Sequence, residues 1–162
     1  MSTSETIRNA YLSGIQNFKP DYFVTITFRK PMTDLVTIFD YHRRFKRYLN
    51  RSLFGRRESS IRYIFISEKN ALGYKSLPTY HSHMMISKSS YVDTAKKLFA
   101  LNSEILTAAT KLRLVKITQK HGFISPYILK CDNNDEAIIG YTTKFLNYDA
   151  EIDVQNSDLK FI

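Results

Sequence analysis

The chain has 162 residues, with 24 Lys+Arg against 15 Asp+Glu and a net charge of +9; the length suits one domain with a packed core. Apolar residues at 43%, with 11 Tyr and 11 Phe, exclude wholesale disorder, and 5 Gly with 4 Pro exclude low-complexity sequence. The lone cysteine, Cys131, excludes an internal disulfide and a thiolate zinc cage; with no run of about 18 apolar residues and no secretory pattern at the start, a soluble protein of a reducing cytoplasm is expected, with no membrane partner.

Ile7, Ala10, Tyr11, Ile15 and Phe18 recur near helical spacing and predict a leading helix that stops before Pro20. Val24, Ile26 and Phe28 then alternate with Phe23, Thr25 and Thr27, which is the pattern of a strand over 21–28. Pro31 and Thr33 open a helix with apolar positions Leu35, Ile38, Phe39, Phe45, Leu49 and Leu53, and Gly55 can end it. Its other face carries Arg43, Arg44, Lys46, Arg47 and Arg51, followed by Arg56 and Arg57. That face is either solvated or a surface that tracks phosphates, and the net positive charge favours nucleic acid as the polyanionic partner.

Strands over 61–68 and 79–87, joined by a loop containing Gly73 and Pro78, should form a hairpin. A second amphipathic helix is expected over 91–111, a fourth strand over 113–118 and another over 124–130. Asn133 or Asn134 caps a last helix with Asp135 and Glu136 in its first turn. The order β-α-β-β-α-β with an extra C-terminal helix predicts an α+β fold of the ferredoxin-like, split βαβ type shared with RNA-recognition domains. Such a fold has an antiparallel sheet with helices on one face and the other face free for a ligand. One domain over 1–148 and a short tail over 149–162 are expected.

Two of the four histidines, His81 and His83, lie two apart on the third strand and therefore project to one face. Glu68 ends the strand expected to pair with them. Two imidazoles and one carboxylate leave positions open for water and phosphate oxygens, a set that suits Mg²⁺ or Mn²⁺ better than a closed zinc site. Strict alternation puts Glu68 on the side of Ile64 and Ile66, opposite Tyr63 and Phe65, so a bulge or strand end is invoked to aim it at the histidines. In the last helix Tyr141 and Lys144 are three apart and share a face; a phenol beside a cation is a competent nucleophile, while a core-edge tyrosine is the plainer reading. His42 and His121 are read as structural or surface residues.

Taken in order, three segments resemble the catalytic domain of the HUH endonucleases, specifically rolling-circle replication initiators of the single-tyrosine type. Phe23-Val24-Thr25-Ile26-Thr27-Phe28 is similar to their first motif, Tyr80-His81-Ser82-His83-Met84-Met85-Ile86 to the histidine motif, and Gly140-Tyr141-Thr142-Thr143-Lys144-Phe145-Leu146 to the nucleophile helix. Ser82 stands where the family has a bulky apolar residue, and Phe145 where two-tyrosine relatives have a second tyrosine; Tyr148 is a spare candidate. The resemblance implies that Tyr141 attacks single-stranded DNA at an origin or hairpin, that Lys144 assists, and that His81, His83 and Glu68 hold the metal. It also implies covalent retention of the 5′-phosphate, so that strands can be rejoined. No Gly-x-x-x-x-Gly-Lys-Ser/Thr loop is present, so a host helicase or polymerase is expected to cooperate. The competing readings are a non-catalytic single-strand-binding module and a metal-dependent hydrolase that uses water.

Overall fold

The computed structural model describes residues 6, 9–10, 13–15, 17–55, 61–70, 79–87, 103–108, 111–112, 118–120, 123–125, 127–131 and 150–158. Along them run β1 (Tyr22–Ile26), α1 (Leu35–Phe54), β2 (Arg62–Asn70), β3 (Thr79–Ser87), β4 (Thr118–Lys120), β5 (Phe123–Ser125), β6 (Tyr127–Lys130) and β7 (Ala150–Ile152). The fold is α+β. Five strands form an antiparallel sheet in the order β6-β1-β3-β2-β7, and β4 pairs with β5 in a separate ladder.

α1 starts where its chemistry directs. The Asp34 carboxylate accepts the N–H groups of Val36 and Thr37 at 3.1 and 3.0 Å, which satisfies donors that the first helical turn leaves unpaired. The hydroxyl and N–H of Thr37, then the N–H of Val36, hold the Asp34 carboxyl below the ordinary carboxylate range. At the other end Gly55 takes φ 66°, a left-handed value that favours glycine, and its N–H bonds the Arg51 carbonyl at 2.9 Å. The sequence pattern placed the C-terminal stop correctly and set the start at Pro31 or Thr33, just ahead of the actual cap.

The register divides the sheet's side chains between two faces. On one, Val24, Ile26, Tyr63, Phe65, Met84 and Ile86 pack with Ile38, Tyr41, Phe45 and Leu49 of α1 and with Ile105 and Ala108 of a short helical stretch, 103–108. On the other, Phe23, Ile64, Ile66 and Met85 pack with Ile15, Phe18 and Cys131. The second face, expected to be free, is thus partly covered by the segment that precedes β1. Apolar burial on both faces explains why β2 reads as a nearly continuous apolar run rather than a clean alternation.

Two elements differ from expectation. The strand beside β1 is Tyr127–Lys130, whereas Thr118, placed at the end of a strand over 113–118, opens β4 in the separate ladder; residues 113–117 lie outside the described residues. Residues 150–158, read as part of a tail, complete the sheet. β7 pairs with β2, and beyond it Asp153 N–H donates to the Phe65 carbonyl at 3.1 Å and Asp158 N–H to the Tyr63 carbonyl at 2.7 Å. Ser157 Oγ and the Asp158 carboxylate accept the Phe65 and Tyr63 N–H groups at 3.0 and 2.9 Å. The open edge of β2 is closed along this stretch, so its backbone groups are paired inside the chain. The expected helix carrying Tyr141, and residues 91–102 of the second helix, lie outside the described residues.

Candidate metal centre

β2 and β3 pair without interruption from Arg62↔Ser87 to Asn70↔Thr79, so Glu68 stands directly across from His81, and Ile66 from His83. Directly opposed residues on antiparallel strands share a face. No bulge is needed: the Ile64 and Ile66 side is the histidine side. Both histidine Nε2 atoms meet the same carboxylate oxygen, Glu68 Oε2, at 2.8 Å from His83 and 2.9 Å from His81. The three candidate ligand atoms lie within 4.8 Å of one another.

His83 is held most firmly. Its Nδ1 lies 3.0 Å from Thr25 Oγ1, across the β1–β3 register pair Thr25↔His83, and its ring stacks on Phe23 with centroids 5.1 Å apart. A hydroxyl can donate or accept, so Thr25 can serve either neutral tautomer; when Nε2 carries an ion, Nδ1–H donates to Oγ1. The His81 ring meets the His83 ring edge-on at 4.7 Å. Burial would raise the Glu68 carboxyl, but the hydrogen bond from His83 and the charges of His81 and His83 outweigh it and hold Glu68 below its ordinary value. Burial, together with the charge of His83, lowers His81 despite the opposing pull of Glu68, so its imidazole is neutral at neutral pH and offers a lone pair.

The donor set fits a divalent cation. Neighbouring ligands of a six-coordinate ion with bonds of about 2.1 Å lie about 3.0 Å apart, close to the spacings at Glu68 Oε2. Two nitrogens and one carboxylate oxygen leave half of such a shell for other oxygens. The structure therefore brings together Glu68, His81 and His83 as a group able to hold a metal ion. Tyr141, Lys144, Arg56, Arg57, Tyr148 and His121 lie outside the described residues.

The basic residues of α1 are elsewhere. The helix packs on the face opposite the metal centre. Arg43 and Arg44 both pair with Asp40, and Lys46 Nζ donates to the Asp158 carboxylate at 2.8 and 2.9 Å while lying over the Tyr63 ring. Lys46 thus ties α1 to the C-terminal segment. Arg47 and Arg51 are exposed on α1.

The same face holds a second histidine cluster that the sequence did not signal. His42 Nδ1–H donates to Asp153 Oδ2 at 3.0 Å, and Ser82 Oγ–H donates to His42 Nε2 at 2.5 Å. Asn156 Nδ2 donates to Asp153 Oδ2 at 2.6 Å. The connectivity is that of a Ser-His-Asp triad, yet Ser82, His42 and Asp153 all have 0% exposure, so no substrate reaches the hydroxyl. Ser82, between the two ligand histidines, faces away from them as alternation requires.

Comparison with protein-family models, curated proteins and solved structures finds no match to this chain. Among the described residues no helix is long and apolar enough to cross a membrane.

Proposed function

We propose that this chain nicks and joins single-stranded DNA, with Tyr141 as the nucleophile and a divalent cation, Mn²⁺ or Mg²⁺, held by Glu68, His81 and His83. The observation that carries the reading is the meeting of both imidazole Nε2 atoms at Glu68 Oε2, in a centre with ligand positions to spare. The strand order β6-β1-β3-β2, with α1 joining β1 to β2, suits the split βαβ arrangement expected from the sequence. Sequence distance also supports it: Ala150 is the register partner of Glu68, and Tyr141 lies only nine residues before it, a tether of at most about 30 Å when fully extended.

In the proposed reaction the Tyr141 oxygen forms a bond to phosphorus as the bond to the 3′-oxygen breaks. The phenol's proton is balanced by the one gained at the freed 3′-hydroxyl. The 5′-phosphate stays on the tyrosine, one ester has replaced another, and attack by a 3′-hydroxyl reverses the step without a further energy source. A bound divalent cation would supply Lewis-acid polarisation of a non-bridging phosphate oxygen. Glu68 and the two imidazoles fix its position, Thr25 and Phe23 fix the His83 ring, and Lys144 is proposed to steady the phenolate or the phosphate.

A passive single-strand-binding sheet is the weaker reading, because Ile15 and Phe18 cover Phe23, Ile64 and Met85, where bases would have to stack. The test is incubation of the whole protein with labelled single-stranded oligonucleotides of randomised sequence and Mn²⁺, followed by denaturing electrophoresis. The wild type should carry a covalent adduct that chelator suppresses and Tyr141→Phe lacks. Cleavage without an adduct would assign water as the nucleophile instead, and binding without cleavage would leave the passive reading standing.

A further inference from the structure

Among the described residues the metal centre is most exposed at His81. Side-chain exposure rises from 4% at His83 through 9% at Glu68 to 17% at His81. His83 is walled by Phe23 and Thr25, and beyond Phe23 lies the second apolar cluster. An ion bound at Glu68 Oε2 and the two Nε2 atoms therefore has its free ligand positions toward His81, at the end of the sheet where β3 begins.

Among the described residues, a segment at this end is the bend between β1 and α1. β1 ends at Ile26, the register partner of Ser82, and the Tyr80 N–H donates to the Met32 carbonyl at 2.8 Å. Residues 27–31 must therefore pass beside His81, and at their middle are Arg29 and Lys30, both exposed. Two cations thus stand on the bend beside His81, whereas Arg43, Arg44, Arg47 and Arg51 lie across the sheet.

Resting on the proposed DNA chemistry, we propose that the single strand enters the metal centre from its His81 side and that Arg29 and Lys30 hold its backbone phosphates. The arginines of α1 do not take part in this contact. Each cation set against a phosphate releases counterions, so its contribution is read from the salt dependence of binding, at about 0.7 in the logarithmic slope per phosphate contact on a single strand.

The experiment titrates the full chain into a fluorescein-labelled single-stranded oligonucleotide of mixed sequence, by anisotropy over a salt series, for three proteins. Arg29→Ala with Lys30→Ala should bind on the order of tenfold more weakly, with a slope shallower by about 1.4 for two lost contacts. Arg47→Ala with Arg51→Ala should retain wild-type affinity and slope. Co²⁺ titration of each protein should give the wild-type affinity, which shows that the metal centre is intact in both variants. Wild-type binding by the bend variant, or a loss confined to the α1 variant, would overturn the inference while leaving adduct formation at Tyr141 untouched. Bend-dependent binding in a protein that forms no adduct would instead sink the proposed chemistry and leave the entry side in place.

Discussion

The two faces of the β2–β3 hairpin carry nearly the same polar groups one residue apart and put them to opposite uses. On the α1 face, His42 meets a carboxylate, Asp153, and a hydroxyl, Ser82; on the other, His83 meets a carboxylate, Glu68, and a hydroxyl, Thr25. At His42 both ring nitrogens are consumed by partners that need them, and nothing in the set touches solvent. At the metal centre two Nε2 atoms converge on one oxygen, and the His81 side is open. A histidine and carboxylate cluster is therefore a structural clamp when its donors and acceptors close on themselves, and a cation site when acceptor atoms crowd together with a path to water.

The contrast is broken most forcefully at the clamp. His42→Ala leaves Asp153 buried without its imidazole partner and should cost about 3 to 5 kcal/mol of stability in urea unfolding. Asp153→Asn, which keeps a hydrogen-bonding group, should cost about 1 to 3 kcal/mol. Metal affinity should stay within about threefold of wild type in whichever variant remains folded; a larger loss would mean that the two faces act as one unit. His81→Ala reverses the pattern. Its Mn²⁺ affinity, followed by the electron paramagnetic signal of the free ion, should drop by at least about a hundredfold, or ~2.7 kcal/mol. Its unfolding free energy without metal should move by less than about 1 kcal/mol, since the centre serves the ion rather than the fold.

The next effect is smaller and tests whether Thr25 belongs to the centre. Thr25→Val keeps the shape and removes the hydroxyl beside His83 Nδ1, so metal affinity should fall by about tenfold, or ~1.4 kcal/mol. Thr25→Ser should restore it. Equal affinities for the valine and serine variants would reduce Thr25 to a packing residue.

Much of this was legible in the sequence because it is local. The hairpin follows from two apolar runs around a Gly and Pro loop, and the His81 and His83 pair follows from a period of two. Gly55 ended α1 as read. The side of Glu68 was harder to place, because Tyr63 and Phe65 are as apolar as Ile64 and Ile66, and alternation cannot tell which set faces the helix when both faces are buried. For the same reason the helical pattern showed which side of α1 is exposed but not which face of the sheet α1 covers, and its arginines landed away from the metal. Asp153 lies 111 residues from His42, and Thr25 lies 58 from His83. No short-range pattern announces pairs so far apart. The pairing of 127–130 with β1 was not legible, because 113–118 and 124–130 both read as strands and only pairing at a distance selects between them.

The smallest effect concerns protonation, and its sign separates the faces again. Burial lowers the pKa of His42 despite the Asp153 carboxylate, whereas the unfolded chain's imidazole titrates near 6.5. Between the lowered value and 6.5 the unfolded state binds the additional proton, so stability rises with pH there; the contribution is complete above about pH 6.5 and is lost on acidification. His81 shifts in the same direction and adds to the slope. His81→Asn removes that share and leaves the clamp's own. Unfolding free energies of this variant between about pH 7.5 and pH 5.5, above the range in which carboxylates titrate, should therefore still fall, by at most about 1.4 kcal/mol per pH unit. A flat profile would mean that burial and Asp153 cancel at His42, and stability that grows on acidification that Asp153 keeps His42 charged in the core. The α1 face would then hold an ion pair whose unmet charge, rather than closed hydrogen bonding, decides what its removal costs.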